Sequence, residues 1–258
     1  MTETLVNAAD RWRPLAELLQ ALLERISGEV PGWLGAGLTV GRGDRPLRVL
    51  ATAGVAEQLM PAQLAHGGPV VVAADTGEPV VTDRLFGDPR WPELLRETVF
   101  DGGPAAETIR GAAALPGFWD EDGAFVLSVT LDRAPDEETL AVLRRYAKLT
   151  EMTLVVAETA TAGDPDQTLD LLASRAAIEQ AKGAIMAVRR CPPDEAWQTL
   201  RRASQEFNVK VRELAVALVE YLGGEVAAPA QGVREIRPSA PAHRAAERLW
   251  SAFTNVSP

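Results

Sequence analysis

The chain has 258 residues, 47% hydrophobic and 24% charged, enough for one larger and one smaller domain of ordinary globular composition. No apolar run approaches the roughly 20 residues of a bilayer crossing, and the opening MTETLVNAADRW lacks a secretory layout, so a cytoplasmic protein with no membrane partner is expected. A single cysteine, Cys191, excludes an internal disulfide, two histidines offer no Cys/His zinc cluster, and a formal charge of -10 argues against a globally basic nucleic-acid binder.

In chain order, Leu15, Leu18, Leu19, Leu22 and Ile26 recur at spacings of three and four, so a helix over Asp10 to Ser27 is expected. It ends at Gly28, and residues 1–28 are assigned as a helix packing on the domain that follows. From Val30 to Thr130 short β-prone runs (AGLTV, LRVLATA, PVVVAA, EPVVTD, AFVLSVTL) alternate with Gly, Pro and Asp, the texture of a sheet with short helices between its strands. After Pro135-Asp136 a long helix is expected, with Leu140, Leu143, Ala147, Thr150, Leu154 and Ala157 forming one seam. A second stripe (Val142, Tyr146, Leu149, Thr153, Val156) widens the apolar face, which suits a homodimer formed through the long helices; a plain buried helix accounts for the seam equally well. This α+β domain is placed at residues 29–162.

The stretch TAGDPDQ (Thr161 to Gln167) is the best break between domains. Three helical patterns follow, over Thr168 to Arg189, Pro193 to Phe207 and Val209 to Leu222, with connections so short that they must pack as a three-helix bundle at 163–224. In the first, Leu171, Ile178, Ala181, Ile185 and Val188 share one side, while Arg175, Glu179, Lys182 and Met186 gather on another beside Gly183. A glycine inside a helix costs about 1 kcal/mol relative to alanine, which suggests close approach by another backbone or a ligand. Arg175 and Glu179, at i,i+4, also suit an ordinary surface ion pair. In the second helix Ala196, Leu200, Ala203 and Phe207 face inward, Trp197 the edge, and Arg201, Arg202 and Gln205 outward. The third buries Val211, Leu214, Ala215, Leu218 and Leu222 and carries Lys210 and Arg212 at its N-terminus, where cations oppose the helix dipole unless an anion docks there. Residues 225–258 are expected to be a flexible tail with a short amphipathic segment from His243 to Phe253. The acidity is concentrated at the front: residues 1–165 carry 14 basic and 25 acidic side chains, residues 166–224 eight of each.

The strings SRAAIEQAKGAIMAV and PPDEAWQTLRRASQEFNVKVRELAVALV resemble the ANTAR family along nearly the whole module, through Ile178 to Met186, the Asp-Glu-Ala-aromatic start of the second helix, and Asn208, Lys210 and Ala215 in the third. The resemblance implies an RNA-binding module that grips paired hairpins in nascent transcripts and prevents a terminator from forming. Carried over residue by residue, it implies Arg175, Gln180, Lys182, Gly183 and Lys210 near the RNA, with Arg212 and Arg201 as backbone contacts. Family members often place a capping Ser where this chain has Pro192. Residues 30–132 resemble the GAF domains that precede such modules, through VPG (Val30 to Gly32), HGGPV (His66 to Val70), TGEPV and DPRWPEL (Asp88 to Leu94). Val70 stands where many relatives have a cysteine, so thiol ligation or covalent tetrapyrrole attachment at that point is excluded, and no cofactor or metal is expected.

The fold class expected is therefore α+β, a GAF-like antiparallel sheet flanked by helices, followed by an all-α bundle. An enzyme is not expected: His66 and His243 are the only histidines, and no P-loop or Ser/His constellation is assembled. The alternative to RNA binding is a regulator working through a ligand or protein contacts alone. The signal stays open between an unidentified small molecule, a partner protein and none.

Overall fold

The computed structural model describes residues 15, 17–42, 45–100, 107–119, 123–161, 165–223 and 236–254, with the side chains of 159–161 and 165–173 outside that set. The start of the first helix, part of the interdomain break and residues 225–235 of the tail lie outside the described residues. The chain divides into two compact units, Met1–Ala157 and Glu158–Pro258.

Alternation of large and small side chains makes the sheet of the first unit two-faced. Strand β1 (Trp33–Arg42) pairs with β2 (Arg48–Gly54) and β5 (Gly123–Leu131), β5 pairs with β4 (Gly111–Phe118), and β4 with β3 (Val80–Thr82), giving an antiparallel sheet of order β2-β1-β5-β4-β3. Leu38, Leu115, Phe125, Leu127 and Val129 point to one face. There they share a core with Leu19, Leu23 and Ile26 of helix α1 (residues 17–27) and with Leu143, Tyr146 and Leu154 of α5 (Glu137–Thr161). Asp136 caps α5, accepting from the Thr139 amide at 2.9 Å and from the Arg133 guanidinium at 2.7 Å. The Tyr146 hydroxyl donates to Glu29 at 2.7 Å, tying α5 to the end of α1.

The opposite face is built from Gly37, Ala114, Ser128 and similarly small residues, so helix α2 (Ala56–His66) lies close against it. A Cβ on Gly37 would stand 2.6 Å from the Met60 sulfur, and Met60 is fully buried. Helix α3 (Pro69–Thr76) follows, and its Val70 amide donates to the buried Gln63 Oε1 at 3.2 Å. The segment from Thr82 to α4 (Arg96–Val99) closes this core: Trp91 is buried and its indole N-H donates to the Leu85 carbonyl at 2.7 Å. Inside it, Asp88 accepts from Thr82 Oγ1 at 2.8 Å and from Arg90 Nη2 at 2.7 Å.

The second unit holds α6 (Pro165–Arg189), α7 (Pro193–Glu206), α8 (Val211–Tyr221) and α9 (Ala240–Thr254). Arg190 (φ 53°) and Asn208 (φ 50°) take left-handed conformations at the two tight turns. The Ser204 hydroxyl donates to the Val209 carbonyl at 2.6 Å, fixing the second turn. The expected core stripe of α6 is found at Ile178, Ala181 and Ile185, joined by Ala177, whereas Val188 is exposed and the side chain of Leu171 lies outside the described residues.

The amphipathic segment expected at His243 to Phe253 is found as a helix, and the departure from expectation lies in its packing. Residues 240–254 are not a flexible extension but a packed fourth helix, with Ala242, Ala245, Ala246 and Leu249 in the same core as the other three. The reason is visible in α8, where Leu214 through Val219 are all buried. A helix apolar on every side needs cover on every side, and α9 covers the side that the other two helices leave open.

Candidate nucleic-acid interface

With Ala177, Ile178, Ala181 and Ile185 turned inward, the 100° helical step places Arg175 and Lys182, seven residues apart, on one flank of α6. Lys182 lies along that flank with its side chain 14% exposed, and its ammonium meets Glu179 Oε1 at 2.9 Å. Most of this side chain is thus packed against its neighbours. Gln180 and Gly183 are exposed. A Cβ on Gly183 would meet nothing within 4 Å, so no other element of the described chain requires this glycine.

The remaining sequence candidates sit on the other two helices. Lys210 is exposed and occupies the N-cap position of α8 in an extended conformation, and Arg212 is half-buried one residue inside that helix. Helix α8 packs directly on α6. Arg201, expected to point outward from α7, is instead half-buried, and burial lowers the pKa of its guanidinium. Its neighbour Arg202 is the exposed cation of that pair. The expected inward stripe of α7 is buried at Ala196, Leu200 and Ala203, with Phe207 half-buried; Leu222, at the C-cap of α8, is 38% exposed instead of buried.

Sequence reasoning passed over Arg189. It pairs with Glu195 at 2.9 Å, donates to Thr199 Oγ1 at 2.6 Å and lies 5.8 Å from the ring centre of Phe253. The first two contacts join neighbouring helices across a short turn, a signal available from sequence; the third depends on where the His243 to Phe253 segment packs, which the sequence reading left open.

In the sheet unit, Val70 is buried and His66 is exposed in the last turn of α2. Among the described residues no group of His, Cys, Asp and Glu is arranged to hold a metal, and no helix is long and apolar enough to cross a membrane.

Residues 166–219 match the family model of the ANTAR domain. No curated protein matches the chain. Among solved structures it is similar to a type II free methionine-R-sulfoxide reductase from Thermoplasma acidophilum, at 14% identity over 55% of this chain and 93% of that one, with a TM-score of 0.41. It is also similar to the GAF domain of a phosphoenolpyruvate-protein phosphotransferase from Coxiella burnetii, at 16% identity over 57% of this chain and 86% of that one, with a TM-score of 0.43. An RNA-binding light-oxygen-voltage receptor is similar at 19% identity over 84% of this chain and 53% of that one, with a TM-score of 0.22.

Proposed function

Because residues 166–219 form an ANTAR domain behind a GAF-like sheet unit, and ANTAR domains mark RNA-binding transcription antitermination regulators, we propose that this chain binds paired hairpins in nascent transcripts under control of its sensor unit. The deep groove of A-form RNA is closed to side chains, so a small helical domain reads exposed loops and clamps phosphates. Arg175 and Lys182 suit the clamp, Lys210 and Arg212 add charge at the start of α8, and Gln180 beside the bare backbone of Gly183 suits contact with a splayed base. One observation carries the reading: within the matched segment, two cations share a flank of α6 next to a helical glycine that nothing in the described chain approaches.

A module with so few cations binds one hairpin weakly, whereas two linked modules meeting two hairpins gain from effective concentration. The proposal therefore includes a homodimer. Leu149, Met152 and Val156, spaced three and four apart on α5 and exposed at 43%, 54% and 66%, favour pairing of that helix with its copy. Glutamate at Leu149 and Met152 is expected to yield a monomer by light scattering; an unchanged mass contradicts this pairing. The working compartment is the cytoplasm, where transcripts emerge, and the sensor is assigned a small molecule or partner protein as its signal.

The test is titration of the full chain with a synthetic RNA of two stem-loops joined by a short single strand. Binding by the wild type and its loss in Lys182→Glu is the expected result. Absence of binding at low salt by both proteins counts against RNA and favours a regulator acting through protein contacts.

A further inference from the structure

We infer that helix α9 belongs to the RNA-facing surface and that its Arg244 and Arg248 are phosphate contacts, an inference that rests on the RNA-binding reading above. The helix is a fixed part of the domain. Ala242, Ala245, Ala246 and Leu249 are buried in the common core, and the Ser239 amide donates to Glu213 Oε2 of α8 at 3.2 Å. With that stripe turned inward, the helical step turns Arg244, Glu247, Arg248 and Ser251 outward, and these residues line an open concavity of about 560 Å³.

Arg248 ties this surface to the candidate interface. Its guanidinium lies 5.9 Å from the ring centre of Phe207, which caps the end of α7 three residues before Lys210. Arg248 thus lies at the end of α7, beside the connection that leads to Lys210, and Arg244 lies one helical turn earlier on α9. Like charges four residues apart disfavour an isolated helix, and Glu247 offsets only part of that repulsion. Side chains at this spacing stand about 5–6 Å apart at Cβ, a separation suited to gripping neighbouring phosphates of one strand. The planar fork of arginine binds phosphate oxygens in pairs and stacks on aromatic rings, and Arg248 is placed to do both. A phosphate backbone is therefore a better match to this row than an acidic peptide.

The experiment compares the full wild-type chain with Arg244→Gln/Arg248→Gln and Arg244→Lys/Arg248→Lys on the same two-stem-loop RNA across a series of KCl concentrations. Phosphate contacts are read independently of sequence at low salt, so a synthetic probe suffices. The glutamine variant is expected to bind roughly tenfold more weakly at low salt, with the slope of log K against log salt shallower by about 1.5, and the lysine variant to recover most of that slope. Thermal melts verify folding, and both side chains are exposed. Equal affinity and slope for wild type and glutamine variant overturn the assignment of α9 while leaving the ANTAR reading intact. Failure of the wild type itself to bind overturns both.

Discussion

The ammonium of Lys182 lies 2.9 Å from Oε1 and 3.1 Å from Oε2 of Glu179, so this proposed phosphate contact is already held by a carboxylate one turn earlier. An i,i+3 pair with one partner 50% exposed contributes about 0.3–0.5 kcal/mol at most. A phosphate therefore competes with Glu179 for Lys182 at little cost to the fold. Replacing Glu179 by Gln is expected to raise RNA affinity two- to fivefold, on the order of a released cation and a deleted repulsion, while leaving the melting temperature within error. Weaker binding by Glu179→Gln means that the carboxylate itself touches RNA.

Gly183 separates stability from function. An exposed helical glycine with open space at its Cβ becomes more stable as alanine by up to about 1 kcal/mol. If RNA uses the bare backbone, Gly183→Ala is expected to melt higher and bind RNA several-fold more weakly. Equal or tighter binding together with the higher melt removes Gly183 from the interface.

How much of this was legible in the sequence differs from element to element. The runs AGLTV and AFVLSVTL are β1 and β5 because alternating side chains of β-prone type state both the strand and its faces. That Gly37 exists to admit Met60 was not legible, since the partner is on α2 and the contact arises only when the helix folds back. In the bundle, the block from Leu214 to Val219 holds no polar residue. Reading only Leu214, Ala215 and Leu218 of that block as inward hid the message that the outer face also needed cover, so the amphipathic segment at His243 to Phe253 was left in a flexible tail instead of being packed on α8. Arg201 failed for a related reason: helical spacing gives a direction from the axis, and the depth of neighbouring side chains decides whether that direction reaches water.

The fourth helix can be tested through its anchor. Leu249 is 8% exposed at the core of the second unit. Leu249→Ala is expected to lower the stability of that unit by about 2–3 kcal/mol, read by denaturant unfolding followed through Trp197 and Trp250 fluorescence. A change below ~0.5 kcal/mol, the size typical of surface substitutions, contradicts the packed position of α9.

Acid lability should centre on Asp88. Hydrogen bonds from the Arg90 side chain, opposed by burial and reinforced by the Arg90 amide and the Thr82 hydroxyl, hold its carboxyl well below the usual carboxylate range. The folded chain thus binds fewer protons here than the unfolded chain once pH falls below the ordinary value of about 4. This contribution is complete above that pH and is lost as pH falls further, through the folded value. Asp88→Asn is expected to cost about 2 kcal/mol at neutral pH and to flatten the fall in stability of the sheet unit below about pH 4. A variant whose stability keeps the wild-type acid slope contradicts this assignment.

The most direct measurement of RNA binding through α6 is the salt dependence of affinity for the two-stem-loop RNA, taken with the full chain and with Arg175→Gln/Lys182→Gln. Each neutralised phosphate contributes about 0.7–0.9 to the slope of log K against log salt. Loss of both cations is therefore expected to make the slope shallower by about 1.5 and to weaken binding at every salt concentration. Superimposable salt curves for the two proteins would contradict the account.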